Sequence, residues 1–299
     1  MDPVAFRIFG IEVMWYGVLI SLGVLLGVIF ALRECKRIGF KEDNLLDFLL
    51  LAIPAAIIGA RAYYVIFSWD YYSQNTSEII NIREGGLAIH GALIAGVIVG
   101  ILFCKKRKIK VLQLLDIVIP SVALGQAIGR WGNFINQEAH GGPTDLPWGI
   151  MVDGQKVHPT FLYESIINIS IFIFLSWFRK NKKTTDGQVL ALYLILYSAG
   201  RFFVEGLRTD SLMFIGLRVA QLVSLGSILL GIALWMYLKK RQKKWDYCES
   251  HFFYANYNLN FASNFFPSSE SILLWIFSTS LSFNVRSLFL YVTENAQLL

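Results

Sequence analysis

The sequence is poor in charged residues, cysteine and histidine. Only 16% of the 299 residues are charged, whereas soluble domains average about 25%. The three cysteines, at positions 35, 104 and 248, are odd in number and far apart, which excludes a disulfide framework and shows no metal-ligand spacing. With four histidines in the chain, we expect no metal site. These shortages argue against a soluble enzyme, a disordered chain and a nucleic-acid-binding protein.

Apolar residues are abundant, at 55% of the chain, and they are gathered into long runs. Seven runs have about twenty residues, the length that crosses the hydrocarbon core of a bilayer as a helix. They cover residues 11–32, 45–67, 87–104, 111–129, 160–178, 188–205 and 216–238. We therefore predict an all-α, polytopic membrane protein with seven transmembrane helices. No basic segment with a cleavage site precedes the first run, so we expect no removable signal peptide.

Lysine and arginine indicate which loops face the cytoplasm. Most of the 27 basic residues follow the first, third, fifth and seventh runs. Loops rich in lysine and arginine stay in the cytoplasm, so we expect the N-terminus outside and the C-terminus in the cytoplasm. The formal charge of +6 then reflects topology, because four short loops do not form the continuous basic face that binds nucleic acid.

The end of the chain differs from the rest. Residues 1–245 are predicted to form the transmembrane domain, and residues 246–299 a C-terminal extension of unknown structure. Residues 252–266 alternate asparagine, serine and aromatic residues, and residues 271–292 are apolar but interrupted by polar ones. An eighth helix is one interpretation. The interpretation we adopt is a cytoplasmic or interfacial extension, or a tail with little stable structure.

Several ionisable residues fall inside or beside the predicted spans, where a charge is costly and marks a functional site by default. Four of them lie toward the outward ends: His90, Arg130, Arg201 and Glu205. Two guanidiniums in a water-poor cavity repel each other unless an anion or carboxylates lie between them. A phosphate suits such a site, because the guanidinium fork matches its oxygens, and near the bilayer surface the phosphate is that of a phospholipid. Structural pairing of arginine with glutamate is the alternative.

Two other charges have plainer interpretations. Arg61, within the second run, either snorkels to the nearer interface or belongs to a functional site. Asp116 lies near the start of the fourth run, where a helix dipole favours a carboxylate. We expect Asp116 to be structural.

Two segments combine polar residues with glycine or proline. Residues 125–138 follow the fourth run and place three glycines before Asn133, Asn136 and Glu138. This pattern is typical either of helix packing followed by a polar loop or of a binding site. In residues 158–164, a histidine precedes a proline that suits the first position of a helix. Such a histidine is more often a hydrogen-bond anchor than a catalyst.

Residues 129–138, Gly-Arg-Trp-Gly-Asn-Phe-Ile-Asn-Gln-Glu, resemble the signature of the bacterial prolipoprotein diacylglyceryl transferases. The rest of that family's pattern is present in order. It comprises Trp-Tyr-Gly at 15–17, Arg-Glu-Gly-Gly-Leu-Ala-Ile-His-Gly at 83–91, His-Pro-Thr-Phe-Leu-Tyr-Glu at 158–164 and Tyr-Ser-Ala-Gly-Arg-Phe-Phe-Val-Glu-Gly-Leu-Arg at 197–208. The resemblance covers about residues 11–244, and nothing in it extends to the residues after 245.

The resemblance implies a multi-pass enzyme of the bacterial cytoplasmic (inner) membrane. Members of the family move the sn-1,2-diacylglyceryl group of phosphatidylglycerol onto the lipobox cysteine thiol of a prolipoprotein, with release of glycerol-1-phosphate. This is the first step of lipoprotein maturation. The implied partners are phosphatidylglycerol, prolipoprotein signal peptides and membrane lipid. No metal, organic cofactor or nucleic acid is expected.

The resemblance also implies roles for individual residues. The implied catalytic residues are His90, Arg130, Arg201, Tyr16 and Tyr197. The implied phosphatidylglycerol-binding residues are Arg130, Asn133, Asn136, Glu138, Gly141, Arg201 and Glu205. In this scheme the two arginines bind phosphate, and His90 deprotonates the incoming thiol.

Three other classes of protein were weighed against this one. A transporter predicts inverted repeats or paired broken helices, and the sequence shows neither. A lipid-binding scaffold explains the basic loops and a phosphate site, but gives no reason for a histidine and tyrosines at the same cavity. A cysteine-dependent acyltransferase is excluded by the predicted topology, because Cys35 and Cys104 fall on the cytoplasmic side, away from the cavity.

Overall fold

The protein is largely helical in a computed structural model that describes residues 2–8, 11–82, 85–209, 213–214 and 216–265. The helices are α1 (Trp15–Ile38), α2 (Glu42–Phe67), α3 (Trp69–Tyr72), α4 (Ile89–Arg107), α5 (Val111–Ile135), α6 (Thr160–Asn181), α7 (Gln188–Leu207) and α8 (Val219–Phe265). Among the described residues, seven helices are long and apolar enough to cross a membrane, all of these except the four-residue α3. The prediction of a polytopic helical membrane protein with seven spans is confirmed.

Three short β-hairpins interrupt the helices. They are β1 (Val4–Ile8) with β2 (Ile11–Met14), β3 (Ile150–Val152) with β4 (Gln155–Val157), and β5 (Met213–Phe214) with β6 (Leu217–Arg218). Two spans therefore start a few residues after the apolar runs that predicted them. The first span begins at Trp15, not at residue 11, and the seventh begins at Val219, not at residue 216. In both places apolar strand residues extend the apolar run without belonging to the helix.

The fourth span, α5, is longer than predicted. The sequence analysis ended it at residue 129, but the helix continues to Ile135 with Asn136 as its C-cap. Gly132 lies within this helix, and the ring of Tyr16 occupies the space where a side chain at this position would lie. Arg130 and Asn133 therefore lie on the helix itself, whereas the sequence pattern predicted that they follow it.

Glycines let neighbouring helices approach closely. A Cβ on Gly23 of α1 would lie 3.3 Å from the Cα of Gly125 on α5, and a Cβ on Gly59 of α2 would lie 2.6 Å from the carbonyl oxygen of Gly91 on α4. Helices α5, α6 and α7 also pack against one another. This antiparallel packing brings the N-termini of α1 and α6 and the C-termini of α5 and α7 together at one end of the bundle, which we call the motif end.

The opposite end is called the basic end. There the last turns of α1, α4 and α6 carry lysine and arginine. Asp116 is fully buried at this end. It accepts hydrogen bonds from the backbone N–H groups of Gly187 (2.8 Å) and Leu190 (3.1 Å) and pairs with Lys183 (3.0 Å). The structural role predicted for Asp116 is confirmed, although the helix N-terminus that it caps belongs to α7, not to its own helix.

Arg61 neither snorkels nor contacts the implied site residues. Its guanidinium is buried and donates to the backbone carbonyls of Glu78 (2.6 Å), Ile79 (2.9 Å), Gly85 (3.1 Å) and Gly86 (3.0 Å). Arg61 thus fastens the connection between α2 and α4, which contains α3 and a short 3-10 helix over Thr76–Ile80.

Helical backbone extends beyond the seventh predicted span, through Phe265. The contacts divide the chain into two compact units, with the second beginning at Met236. The division at residue 245, with an extension or tail after it, stays a prediction. The apolar segment 271–292, the candidate for an eighth helix, lies outside the described residues.

Candidate active site

Five charged side chains meet at the motif end, and we call them the arginine cluster. They are Arg130, Glu164, Arg201, Glu205 and Arg208. Glu164 lies at its centre. One carboxylate oxygen is 2.6 Å from Arg130 Nε, and the other is 2.7 Å from Arg201 Nη1 and 3.8 Å from Arg208 Nη1. Glu205 Oε2 is 2.7 Å from Arg201 Nη2.

Helices place four members of the cluster, and Arg208 is the C-cap of α7. Arg130 lies near the end of α5, and Arg201 and Glu205 lie one turn apart on α7, on the same face. Glu164 lies one turn after Thr160, the first residue of α6. The fully buried Thr160 hydroxyl donates to the carbonyl oxygen of Ala139 (2.6 Å), which ties the loop after α5 to the start of α6.

The cluster has the arginine–glutamate pairing that the structural alternative predicted, but the pairing does not balance the charge. Three guanidiniums face two carboxylates, so the five residues carry one net positive charge. The side chains of Arg130 and Arg201 are 24% and 21% exposed, whereas that of Glu164 is 6% exposed. The carboxylate therefore neutralises the arginines from the buried side. Their outer surfaces remain available to a further anion.

The signature segment leads from the cluster to the surface. Arg130 Nη1 donates to Asn133 Oδ1 (3.4 Å), and Glu138 Oε1 accepts from the side-chain amides of Asn133 (3.0 Å) and Asn136 (3.3 Å). The backbone turns sharply here, with positive φ at Gln137 (56°) and Ala139 (57°). Because such angles are unfavourable for residues with a Cβ, the three side-chain hydrogen bonds help to hold a strained turn.

Gly141 contributes its backbone to the site. It is buried, and its N–H donates to the carbonyl oxygen of His158 (3.0 Å). A Cβ at this position would lie 2.7 Å from the Cβ of His158 and 3.0 Å from the carbonyl oxygen of Leu207. A glycine is therefore needed where the loop after α5, the start of α6 and the end of α7 converge. His158 serves as a hydrogen-bond anchor at this junction.

The two tyrosines of the implied catalytic set lie beside this region. The ring of Tyr16, at the start of α1, packs against Gly132 in the signature segment. Tyr197 lies on α7 one turn before Arg201, and its ring is stacked on that of Tyr193 with centroids 5.3 Å apart. Tyr197 also lines a small cavity together with Glu164 and Arg201. Both tyrosines are thus near the arginine cluster.

His90 is not brought to the cluster. It is the second residue of α4, it is exposed, and its ring lies 5.9 Å from the ring of Tyr63. Within the part of the chain that the structure describes, no hydrogen bond, ion pair or ring contact joins His90 to the five cluster residues. Arg83 and Glu84, which open the histidine-containing motif, lie outside the described residues.

Sequence reasoning missed Glu164 and Arg208 as members of the cluster. Glu164 was within a quoted motif, and it is the one acidic residue of α6. A charge at membrane depth marks a functional site, so the position of Glu164 within the fifth apolar run was a signal that could have identified it. Arg208 was also within a motif, but its contact with Glu164 depends on how the end of α7 meets α6.

Comparisons with known proteins agree with this geometry. A match to the family "Prolipoprotein diacylglyceryl transferase" spans residues 3–237. The phosphatidylglycerol–prolipoprotein diacylglyceryl transferase of Clostridioides difficile is 58% identical over 243 residues, which is 81% of this chain and 98% of that protein. This chain belongs to the prolipoprotein diacylglyceryl transferase family.

Two further members of that family show the same extent of similarity. The enzyme of the same name from Finegoldia magna is 58% identical over 246 residues, covering 82% of this chain and 99% of that protein. The one from Bacillus mycoides is 52% identical over 244 residues, covering 78% and 90%. The resemblance stated from the motifs is confirmed, and so is the class, a membrane-embedded transferase. The roles of individual residues stay predictions.

Proposed function

We propose that this chain transfers the sn-1,2-diacylglyceryl group of phosphatidylglycerol to the lipobox cysteine thiol of prolipoproteins and releases glycerol-1-phosphate. The observation that carries the proposal is the arginine cluster, with one net positive charge and two guanidiniums whose outer faces are open. Its position in the family signature and the names of the relatives support the same reaction.

The phosphate is bound by Arg130 and Arg201 in this proposal. A phosphodiester carries a negative charge, which suits the partly exposed guanidiniums of Arg130 and Arg201. Glu164 holds Arg130 through Nε, so the Nη groups of Arg130 point toward Asn133 and the open side. Such preset donors cost no rearrangement when the lipid arrives.

The reaction is a substitution at the glycerol carbon that bears the phosphate. The thiolate sulfur forms a bond to this carbon, the carbon–oxygen bond to phosphate breaks, and its electron pair stays on the phosphate oxygen. Negative charge therefore develops next to Arg130 and Arg201, where removal of one donor costs roughly 3–4 kcal/mol in comparable sites.

The thiol must lose a proton before it attacks. A cysteine thiol has a pKa near 8.5, and the thiolate is the nucleophile. A neutral histidine with an ordinary pKa near 6.5 can accept this proton, and we assign the role to His90. Since His90 lies on α4, apart from the helices that carry the arginines, the prolipoprotein cysteine is bound from the α4 side and the lipid phosphate from the α5–α7 side.

We further propose that the protein resides in the bacterial cytoplasmic (inner) membrane with its motif end at the outer leaflet. The lysines and arginines in the last turns of α1, α4 and α6 support this orientation, because basic loops remain in the cytoplasm. In this orientation the N-terminus is outside, as the sequence analysis predicted.

A reconstituted transfer assay tests the function. The purified chain is mixed with phosphatidylglycerol and a lipobox peptide, and the peptide mass and the released glycerol phosphate are followed. The expected result is a diacylglyceryl mass gain that is absent with the Arg130→Ala variant and with a peptide whose cysteine is replaced by serine. Folded protein that binds the lipid but transfers nothing would contradict the proposal and favour a lipid-binding role.

A further inference from the structure

Helices α6 and α7 face each other with a ladder of polar side chains below the arginine cluster. Glu164 and Asn168 are four residues apart on α6, and Tyr197 and Arg201 are four residues apart on α7, so each pair lies on one helix face. Glu164 and Arg201 form the first rung, with a contact of 2.7 Å. Asn168 and Tyr197 form the second, and all four line one small cavity.

Asn168 is the unusual member of this ladder. The residue is 2% exposed, and its Oδ1 atom has no hydrogen-bond partner among the described residues. Most buried polar atoms have such a partner, and leaving one without a partner destabilises the folded chain. The missing partner is explained if Oδ1 accepts a hydrogen bond from a bound ligand.

The position of Asn168 indicates which donor this is. Successive rungs are about 6 Å apart along the helix axis, since each residue rises about 1.5 Å. A short substituent on a phosphate that is bound to Arg201 therefore reaches Asn168. The cavity is water-sized and is also lined by Gly200 and Ile167, and the Ile167 side chain fills the space that a Cβ on Gly200 would need. A space of this size holds one hydroxyl group or one water molecule.

We propose that Asn168 Oδ1 accepts a hydrogen bond from a hydroxyl of the head-group glycerol of the lipid donor. The inference rests on the proposed function, and it makes Asn168 a residue that selects a hydroxyl-bearing head group. A buried acceptor discriminates strongly against an analogue that lacks the matching hydroxyl, because the acceptor is then left without a partner.

The test compares two donors with identical acyl chains, phosphatidylglycerol and phosphatidyl-1-propanol, which lacks both head-group hydroxyls. For the wild-type chain we expect kcat/KM to be about tenfold lower with the propanol lipid. In Asn168→Leu, which keeps a similar volume without the acceptor, the two donors are expected to react at the same rate. The matched control is Asn181→Leu at the far end of α6, where the asparagine is exposed and bonded to Trp177.

Other outcomes overturn the assignment. If Asn168→Leu slows both donors equally, the acceptor holds an enclosed water or supports packing, and it does not read the head group. If Asn168→Leu does not accumulate in the membrane, the comparison of the two lipids with the wild-type chain is sufficient. Equal wild-type rates with both lipids would exclude a residue that recognises a head-group hydroxyl. Absence of any transfer from phosphatidylglycerol by the wild-type chain would instead contradict the proposed function, so the two failures are distinct.

Discussion

Charged side chains gather at both ends of the helical bundle, but the two groups differ in their burial and in their hydrogen-bond partners. At the basic end the group comprises Glu34, Arg37, Asp116, Arg179, Lys183 and Asp186. Three carboxylates face three cations, and several contacts end on the main chain. Arg179, whose side chain is 8% exposed, donates to the carbonyl of Ile117 and pairs with Glu34, while Asp116 accepts two backbone N–H groups.

The arginine cluster at the motif end is less enclosed. The guanidiniums of Arg130 and Arg201 are held on the buried side by Glu164 and are partly exposed on the other side. The difference shows that ionic groups have two uses in the same bundle. A buried group with main-chain partners fastens helices together, whereas a group with partly exposed guanidiniums is suited to bind a ligand.

The largest expected effect is the loss of an arginine at the motif end. Arg130→Ala or Arg201→Ala should lower transfer about a thousandfold, because the charge that develops on the departing phosphate loses a preset donor. Arg179→Ala is the matched control at the basic end, and it should lower thermal stability while leaving the rate per folded molecule unchanged. Rates are measured in the reconstituted transfer assay after the amount of folded protein is equalised. Near-wild-type rates for both motif-end variants would contradict the proposal that Arg130 and Arg201 stabilise the departing phosphate.

The next effect comes from the carboxylate between the arginines. Glu164→Gln keeps the shape of the side chain but raises the net charge of the cluster from one to two. Turnover should fall on the order of a hundredfold, because the guanidiniums lose the anion that orients them. Inhibition by glycerol-1-phosphate should become stronger at the same time. Slower turnover without stronger product inhibition would mean that Glu164 only supports folding.

A smaller effect is expected at His90, which lies outside the cluster. His90→Asn should reduce transfer about tenfold near neutral pH, at or below the low end of what general bases contribute. The loss should shrink as the pH approaches the thiol pKa near 8.5, because the thiol then ionises without help. The pH dependence of kcat/KM for wild type and variant provides the measurement. A deficit that is constant with pH would exclude proton transfer as the role of His90.

The smallest effect on turnover is expected at the basic end. Burial lowers the pKa of Lys183, but the neighbouring Asp116 and Asp186 carboxylates raise it further, so the pKa is raised overall. This pairing stabilises the fold below the unfolded pKa near 10.4, and the stabilisation is lost as the pH rises through the higher folded value. Asp116→Asn should cost about 3 kcal/mol of stability, visible as a lower melting temperature in detergent, with unchanged transfer per folded molecule. A selective loss of turnover would contradict a purely structural role.

The spans themselves could be predicted from the sequence because each depends on a local property, an apolar run of sufficient length. The ends of the runs were less reliable. The strand β2 over Ile11–Met14 is apolar enough to extend the first run, and its pairing with β1 is a contact that a hydropathy pattern does not contain. Likewise, the contact of the Tyr16 ring with Gly132 joins α1 to α5 and is not contained in the hydropathy pattern.

Part of the candidate site was predictable from the sequence, but the pairing of its residues was not. Arg130, Arg201 and Glu205 are conspicuous in apolar surroundings, so a rule on the cost of charge identifies them one at a time. The same rule applies to Glu164, but its place between the arginines depends on residues of two other helices. Asn168 is uncharged and only becomes conspicuous when its buried oxygen is seen to have no partner.

The fastening of the α2–α4 connection by Arg61 has a practical consequence. The four hydrogen bonds of this guanidinium end on backbone carbonyls, and the one ring that it lies over, that of Tyr72, is buried. An exposed residue of this connection such as Trp69 can therefore be exchanged for a fluorophore or spin-label attachment site without releasing the connection. Such a label would lie beside the start of α4. It would report the arrival of a prolipoprotein without replacing a residue of the candidate active site.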